Sequence, residues 1–321
     1  MINKKLIKSI LLFIVFNIFF APISATLMIR FLPFENVKKG IVGMCVTSYS
    51  HSGLANLFAS NDEIKNIISQ NRYGVMVSST NKNLIKVEHK FDKGITLYEV
   101  KSDTFHGKLL KIEDPLRIKV CKSKDIPKAG ETTSALARRH SAVAAINAGG
   151  FTGSNWGGTG GMPSGVIIQN GEITFQSKPL KEYMDIVGFT KKGVLVVGRQ
   201  KTSSLLSIGV SEAVCFGPAL IVNGQPMIKR GDGGWGIAPR TAIGQTRDGE
   251  VLMLVIDGRQ MSSAGAYLLD IQNIMLKYGA YNAANLDGGS STTMYYKGRV
   301  VNNPCDIVGE RSVPTIVMVT P

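Results

Sequence analysis

The sequence predicts an α+β protein: a large, mostly antiparallel or mixed twisted sheet with a few flanking helices, preceded by an N-terminal transmembrane anchor. Three observations lead there. From residue 165 onward, short apolar runs are punctuated by Asn170-Gly171, Lys192-Gly193, Asn223-Gly224, Asp248-Gly249 and Lys297-Gly298, each a hairpin signal between strands. One longer helical pattern, Ala264 to Tyr278, places Leu268, Ile271, Met275 and Tyr278 on one face and stops at Gly279. Near the start, Ile10 to Ile29 runs without a charge between Lys4, Lys5 and Lys8 on one side and Arg30 on the other.

That apolar run has the length of a bilayer-spanning helix. Basic residues ahead of it put the short N terminus in the cytoplasm and everything after it outside. Ile23-Ser24-Ala25 would serve as a signal-peptide cleavage site, but apolar character continues through Leu27, Met28 and Ile29, which favours a retained anchor. Residues 1–39 are therefore read as anchor and juxtamembrane linker, 40–130 as an α+β extension and 131–321 as the working domain. Within the extension, Ser60-Asn61-Asp62-Glu63 has the capping-box pattern, and Ile64, Ile67 and Ile68 follow at helical spacing, predicting a helix over 61–71. Residues 73–121 read as several strands. Thr133 to His140 is a second helix, feeding a strand that ends at Asn147.

Composition fits a loop-rich sheet protein, with 44% hydrophobic residues and 35 glycines. The net charge of +14 is concentrated early, since residues 1–130 carry 20 basic and 10 acidic side chains. A basic surface suits anionic lipid or a phosphate-rich wall polymer. Nucleic acid is not expected as a partner, because the lysines are dispersed, no aromatics interleave with them and no binding motif is present. Cys45, Cys121, Cys215 and Cys305 are widely spaced with no Cys-x-x-Cys pair, which argues against zinc and leaves disulfides or buried thiols open.

The chemistry is expected where polar residues close apolar runs. Ala283 to Thr293 sets Asp287 between a strand and the Gly288-Gly289 turn, with Asn285 two residues earlier. Ala144 to Phe151 ends in Asn147, Gly149 and Gly150. Arg240-Thr241 opens one apolar run, and Val251 to Ile256 carries Asp257 at its end. Glu310-Arg311 precedes the last strand. A helix between the Asp257 and Asp287 strands could return the second acid to the same sheet edge. The glycine loop from 149 to 161 is not a nucleotide fingerprint, because a strand and hairpin follow it, not a helix. Its amides and Trp156 would suit a sugar or phosphate instead. No Gly-x-Ser-x-Gly elbow occurs, and His51, His89, His106 and His140 all lie outside the late motifs, so carboxylates are left as acid, base or nucleophile.

These pieces in this order carry a resemblance. Asn147-Ala148-Gly149-Gly150-Phe151, Met162-Pro163-Ser164-Gly165, Gly217-Pro218-Ala219-Leu220, Arg240-Thr241-Ala242-Ile243-Gly244, Asp257-Gly258-Arg259, Asn285-Leu286-Asp287-Gly288-Gly289 and Glu310-Arg311 make residues 140–321 similar to the phosphodiester glycosidase family. Ala148 departs from the pattern, where the family more often has glycine. The resemblance implies hydrolysis of a sugar-1-phosphodiester at the anomeric carbon. A phosphate leaving group departs without a full proton, so guanidinium charge can stand in for a strong general acid. Asp257 and Asp287 are then the acids, with Glu310 in reserve. Arg240 and Arg311 would hold the phosphate, and Asn147, Gly149, Gly150, Thr241, Asn285, Gly288 and Gly289 would line the substrate. The expected substrate is a glycosyl phosphate or phosphate-rich surface polysaccharide, and the expected membrane contact is the N-terminal helix. No cofactor is expected. The acids match no calcium loop, so no metal ligands are assigned, although a divalent cation stays compatible with them. A noncatalytic, membrane-anchored module binding anionic wall or exopolysaccharide polymers is the competing reading, using the same arginines without needing the acids.

Overall fold

The computed structural model describes residues 4–47, 52–73, 80–152, 159–177, 182–306 and 308–321. Trp156 and His51 lie outside them. The chain divides into two compact units, residues 1–70 and 71–321.

The first unit is helical. Its opening helix, Lys4–Phe31, contains a stretch, Ile7–Phe31, long and apolar enough to cross a membrane. Pro33 follows the helix, where a missing N–H and a fixed φ oppose continuation. The expected linker is shorter than the sequence suggested, because a second helix, Glu35–Thr47, takes up most of it. Its start is favoured by Glu35 in the first turn, where the helix dipole attracts negative charge. Helix Asn61–Tyr73 begins with the expected capping box: Ser60 N–H donates to Glu63 Oε2 at 2.8 Å, and Glu63 N–H donates to Ser60 Oγ at 3.2 Å. Lys38 adds a 3.2 Å ion pair to Glu63, and the hydrogen bonds from Ser60 followed by this lysine hold the carboxyl down to about 2.

The second unit is built on antiparallel pairing, and its strands fall into three larger sheets where the sequence suggested one. The seven-stranded sheet runs, in spatial order, Ile95–Lys101, His106–Ile112, Val251–Ile256, Arg240–Thr246, Ala280–Leu286, Ala219–Val222 and Gln225–Pro226. One five-stranded sheet is Leu195–Lys201, Tyr183–Thr190, Val210–Cys215, Val166–Gln169 and Glu172–Gln176. The other is Arg299–Val300, Met294–Tyr296, Ala144–Asn147, Thr315–Val319 and Ile118–Lys122. All five turn dipeptides close hairpins between these strands. At Asn170, Asn223 and Lys297, φ is +51°, +53° and +47°, and the following glycine is also left-handed, the double positive φ that two-residue hairpins need.

Alternation along the strands sorts the cores. Ile243, Met253 and Leu286 face a central core shared with Ile146 and Val317 of one sheet and Val187 and Val197 of the other. Their neighbours Ala242, Leu254 and Ala283 face the opposite way, onto Leu268, Ile271 and Met275 of helix Leu268–Lys277. Helix Thr133–Arg139 covers the outer face of the third sheet through Leu136 and Ala137. The long helix starts four residues later than its pattern suggested. Gly265, at φ +115°, and a bridge between Ala238 and Ala266 keep 264–266 extended, and Asp270 then accepts the Tyr267 N–H to open the helix.

Residues 95–122 do not form a separate extension. His106–Ile112 pairs with Val251–Ile256 along its length, and Ile118–Lys122 pairs with Thr315–Val319, so the boundary expected near 130 is replaced by one near 70. All four cysteines are free thiols. Burial pushes Cys121 and Cys215 up to about 11, which keeps them protonated.

Candidate active site

Sheet register brings the motifs together. Val251–Ile256 and Ala280–Leu286 both pair antiparallel with Arg240–Thr246, one on each side. They therefore run the same way, and helix Leu268–Lys277 links them by crossing over the strand between. Asp257 and Asp287, each one residue past its strand, emerge at the same end of the sheet, flanking the start of Arg240–Thr246. Thr241 stands opposite Leu286 and Val255 there.

Asp287 is held by its backbone on both sides. Its N–H donates to the Ala148 carbonyl at 3.0 Å, and its carbonyl accepts the Asn147 side-chain N–H. Asn147 is fully buried, and its Oδ1 accepts from Thr241 Oγ1 at 2.8 Å and from Thr293 N–H at 3.1 Å. The loop after Ala144–Asn147 thus clamps the turn that carries the acid. Two glycines make that turn fit. A Cβ on Gly288 would lie 2.7 Å from the Pro239 carbonyl oxygen, and Gly289 adopts φ +61° while donating its N–H to the same oxygen at 2.9 Å.

The carboxyl itself is poised. Removal from water pushes it up to about 6, against hydrogen bonds from Ser291 and the Gly288 N–H and the positive charge of Arg311. Its Oδ2 is buried and has no hydrogen-bond partner among the described residues. Asn285 Oδ1, Thr292 Oγ1 and Thr293 Oγ1, on the same segment, are likewise buried and unpartnered. Buried polar atoms left open in a group on one segment are unusual in a folded core and common where a polar ligand is received. Asn285 keeps its place by donating Nδ2 to the Gly217 carbonyl at 3.0 Å.

Asp257 is tied to the same region. Its Oδ1 accepts from Asn302 Nδ2 at 2.9 Å and from Asn303 N–H at 3.0 Å, and Asn302 also donates to the Thr292 carbonyl at 3.1 Å. Burial raises its carboxyl above the usual range, partly offset by those two donors. Asn302 therefore couples the loop of one aspartate to the segment behind the other.

Four of the expected substrate groups have other tasks. Gly149 N–H donates to Thr315 Oγ1 at 2.9 Å and Gly150 N–H to the Cys215 carbonyl at 3.1 Å, so these amides are engaged inside the protein. Their missing side chains make room for Val214 and Phe216. Thr241, fully buried, orients Asn147. Arg240 is 3% exposed, and its guanidinium donates to the carbonyls of Ala266, Trp235 and Gly236, a structural use in place of the phosphate contact expected of it. Desolvation, then the nearby charge of Arg259, lowers it to about 10, still protonated at neutral pH.

Glu310 is also structural, with both carboxylate oxygens accepting from Ser134, one from its N–H at 2.8 Å and one from its hydroxyl. This places a negative charge on the first turn of helix Thr133–Arg139. Arg311 stacks over Phe151 at 5.1 Å and lies close enough to Asp287 to act on its charge. A second guanidinium, Arg259, was not among the expected site residues. Its terminal nitrogens lie 3.4 and 3.5 Å from where a Cβ on Gly289 would sit. The Asp257-Gly258-Arg259 motif contained it, but nothing in the sequence showed that its side chain reaches the Asp287 turn. Asn302 and Ser291 were missed for the same reason.

One other set of ligand-bearing groups occurs among the described residues: His89, Asp248 and Glu250, with ligand atoms within 4.8 Å of one another. It lies at the hairpin end of Arg240–Thr246 and Val251–Ile256, opposite the aspartates, and Lys111 already pairs with Glu250 at 2.6 Å.

The phosphodiester glycosidase family model matches residues 140–320, more than half of the chain, including both aspartates, Asn147 and the three arginines. The chain belongs to the phosphodiester glycosidase family. Among the relatives of this phosphodiester glycosidase family member, the SPbeta prophage-derived uncharacterized protein YomE of Bacillus subtilis is 29% identical over 206 residues, covering 60% of this chain and 30% of the relative. The bovine and human N-acetylglucosamine-1-phosphodiester alpha-N-acetylglucosaminidases are 39% and 36% identical over 70 and 89 residues, covering 22% and 26% of this chain. The chain spans under a third of the length of these relatives, 13% for the bovine enzyme and 17% for the human one. The catalytic domain of the zebrafish enzyme superposes with a TM-score of 0.60 over 77% of this chain and 89% of that domain at 21% identity, which establishes a shared fold.

Proposed function

We propose that this protein is an extracytoplasmic hydrolase that cleaves a sugar-1-phosphodiester at the anomeric carbon, acting on glycosyl phosphates of cell-surface or exopolysaccharide material. The observation that carries the reading is Asp287, a raised carboxyl with one buried, unpartnered oxygen, set beside the cationic Arg311. A carboxyl near 6 is matched to proton transfer at neutral pH. Ionised, Asp287 would take a proton from water attacking the anomeric carbon, with Asp257 positioned alongside. The bridging oxygen leaves with the phosphate, whose charge the guanidiniums offset. The bovine and human relatives are named for the same bond type, an N-acetylglucosamine-1-phosphodiester, which makes that sugar the first to test. The uncharged stretch from Ile10 to Ile29 in helix Lys4–Phe31, behind Lys4, Lys5 and Lys8, supports a single-pass anchor with the second unit outside the cytoplasm.

Incubation with a panel of sugar-1-phosphodiesters in oxygen-18 water tests the reaction. Label is expected in the sugar and none in the phosphomonoester. Label in the phosphate would move the attack to phosphorus, and absence of turnover across the panel would leave a binding module. The pH profile follows from the Asp287 carboxyl. Because the base must be ionised, kcat/KM should fall about tenfold per pH unit below about 6 and level off above it. A profile flat from pH 4 to 8 would remove Asp287 from that role.

A further inference from the structure

Arg259 holds a backbone conformation that L-residues avoid, with φ at +59°. The other non-glycine residues with this sign include Asn170, Asn223 and Lys297, where two-residue hairpin turns demand it. Arg259 sits in no such turn. Its N–H donates to the Ala264 carbonyl at 3.1 Å, and Gln260 and Ser263 pair with each other, so the loop fixes the residue in this state. Strain held in place this way is a feature of functional loops.

The outcome is a placed charge. The side chain is exposed, yet its guanidinium lies against the Gly289 turn that carries Asp287. Neither Arg259 nor Arg311 forms an ion pair among the described residues. The charge of Arg259 acts on another cation, the buried Arg240, and disfavours its protonated form. Arg259 against Gly289 and Arg311 acting on Asp287, neither with an ion-pair partner, leave surplus positive charge at this acidic turn. That surplus suits an anion with several acceptor oxygens.

We propose that Arg259 contacts the phosphate together with Arg311, and that this pair retains the phosphomonoester product more firmly than the diester substrate. The proposal rests on the reaction assigned above. Hydrolysis adds water across the bond from the anomeric carbon to oxygen: the sugar gains the hydroxyl, and the phosphate keeps its bridging oxygen and releases a proton. The diester carries one negative charge and the monoester closer to two at neutral pH, so the pair attracts the product more strongly. Inorganic phosphate, of similar charge, becomes a competitive inhibitor.

The test uses the full chain in detergent, with Arg259→Gly and Arg259→Lys, and reads phosphate binding, steady-state kinetics and thermal stability. Inorganic phosphate binding, by titration calorimetry, should weaken about tenfold or more in Arg259→Gly and less in Arg259→Lys, the loss expected for a charge-assisted contact. The inhibition constant for phosphate should rise by a larger factor than KM for the cleaved sugar-1-phosphodiester, with kcat changed less. Thermal stability of Arg259→Gly should equal or exceed the parent's, because glycine accepts this φ freely. Phosphate affinity unchanged in Arg259→Gly overturns the proposal and leaves the proposed reaction standing if turnover persists. Loss of phosphate affinity in a protein that cleaves no phosphodiester keeps the anion site and overturns the reaction.

Discussion

Asp287→Asn should lose turnover by about 10²- to 10⁴-fold, the range that a positioned general base contributes, while phosphate binding is retained. The same exchange should stabilise the protein at neutral and higher pH. The folded carboxyl is raised from 3.8 to about 6, so between those values the folded chain holds a proton that the unfolded chain has released. Stability therefore falls as pH rises through that window, and the penalty is constant above it. Asparagine carries no charge to desolvate. Denaturant titration at pH 8 should show the variant more stable by about 3 kcal/mol, and the difference should vanish near pH 4. An inactive variant that is also less stable at pH 8 would mean that Asp287 serves the fold. A variant with unchanged turnover would end its catalytic assignment.

Asn147→Ala has the largest expected structural effect. One amide satisfies the Asp287 carbonyl, the Thr241 hydroxyl and the Thr293 N–H, all in the interior. Truncation leaves three polar groups without partners, a loss of about 3 kcal/mol or more, or about 6–12 °C in melting temperature for a unit of this size. Activity should fall further than stability accounts for, because the clamp on the acid's backbone goes with it. Asn147→Asp keeps the acceptor but loses the donor to the Asp287 carbonyl. It should recover part of the stability and little of the activity. Equal recovery of both would make Asn147 a packing residue alone.

The hairpins were legible because turn chemistry is local: an Asn-Gly pair has few other uses, and all five turn dipeptides close strand pairs. The common sheet end of Asp257 and Asp287 was legible because one helix between two strands fixes their direction. Side-chain assignments were less legible. Arg240 and Arg259 are the same residue type in neighbouring motifs, and only register and loop path decide that one is buried on carbonyls while the other faces the acidic turn. Glu310 is likewise an acid in a plausible motif until a helix start 176 residues away in sequence, at Ser134, is found to hold both its oxygens. The Asn302 link between the two aspartate loops depends on a contact spanning 45 residues, which no local pattern encodes.

The strand His106–Ile112 has a practical consequence for anyone preparing this protein. The portion that family comparison recognises, 140–320, is smaller than the portion that folds. A chain trimmed to its recognisable motifs would leave the flank of Val251–Ile256 bare, an apolar ribbon ready to recruit a neighbour. It would also strip the last strand of its Ile118–Lys122 companion. Soluble material is better sought by removing the helices that end at Tyr73 and keeping everything after them.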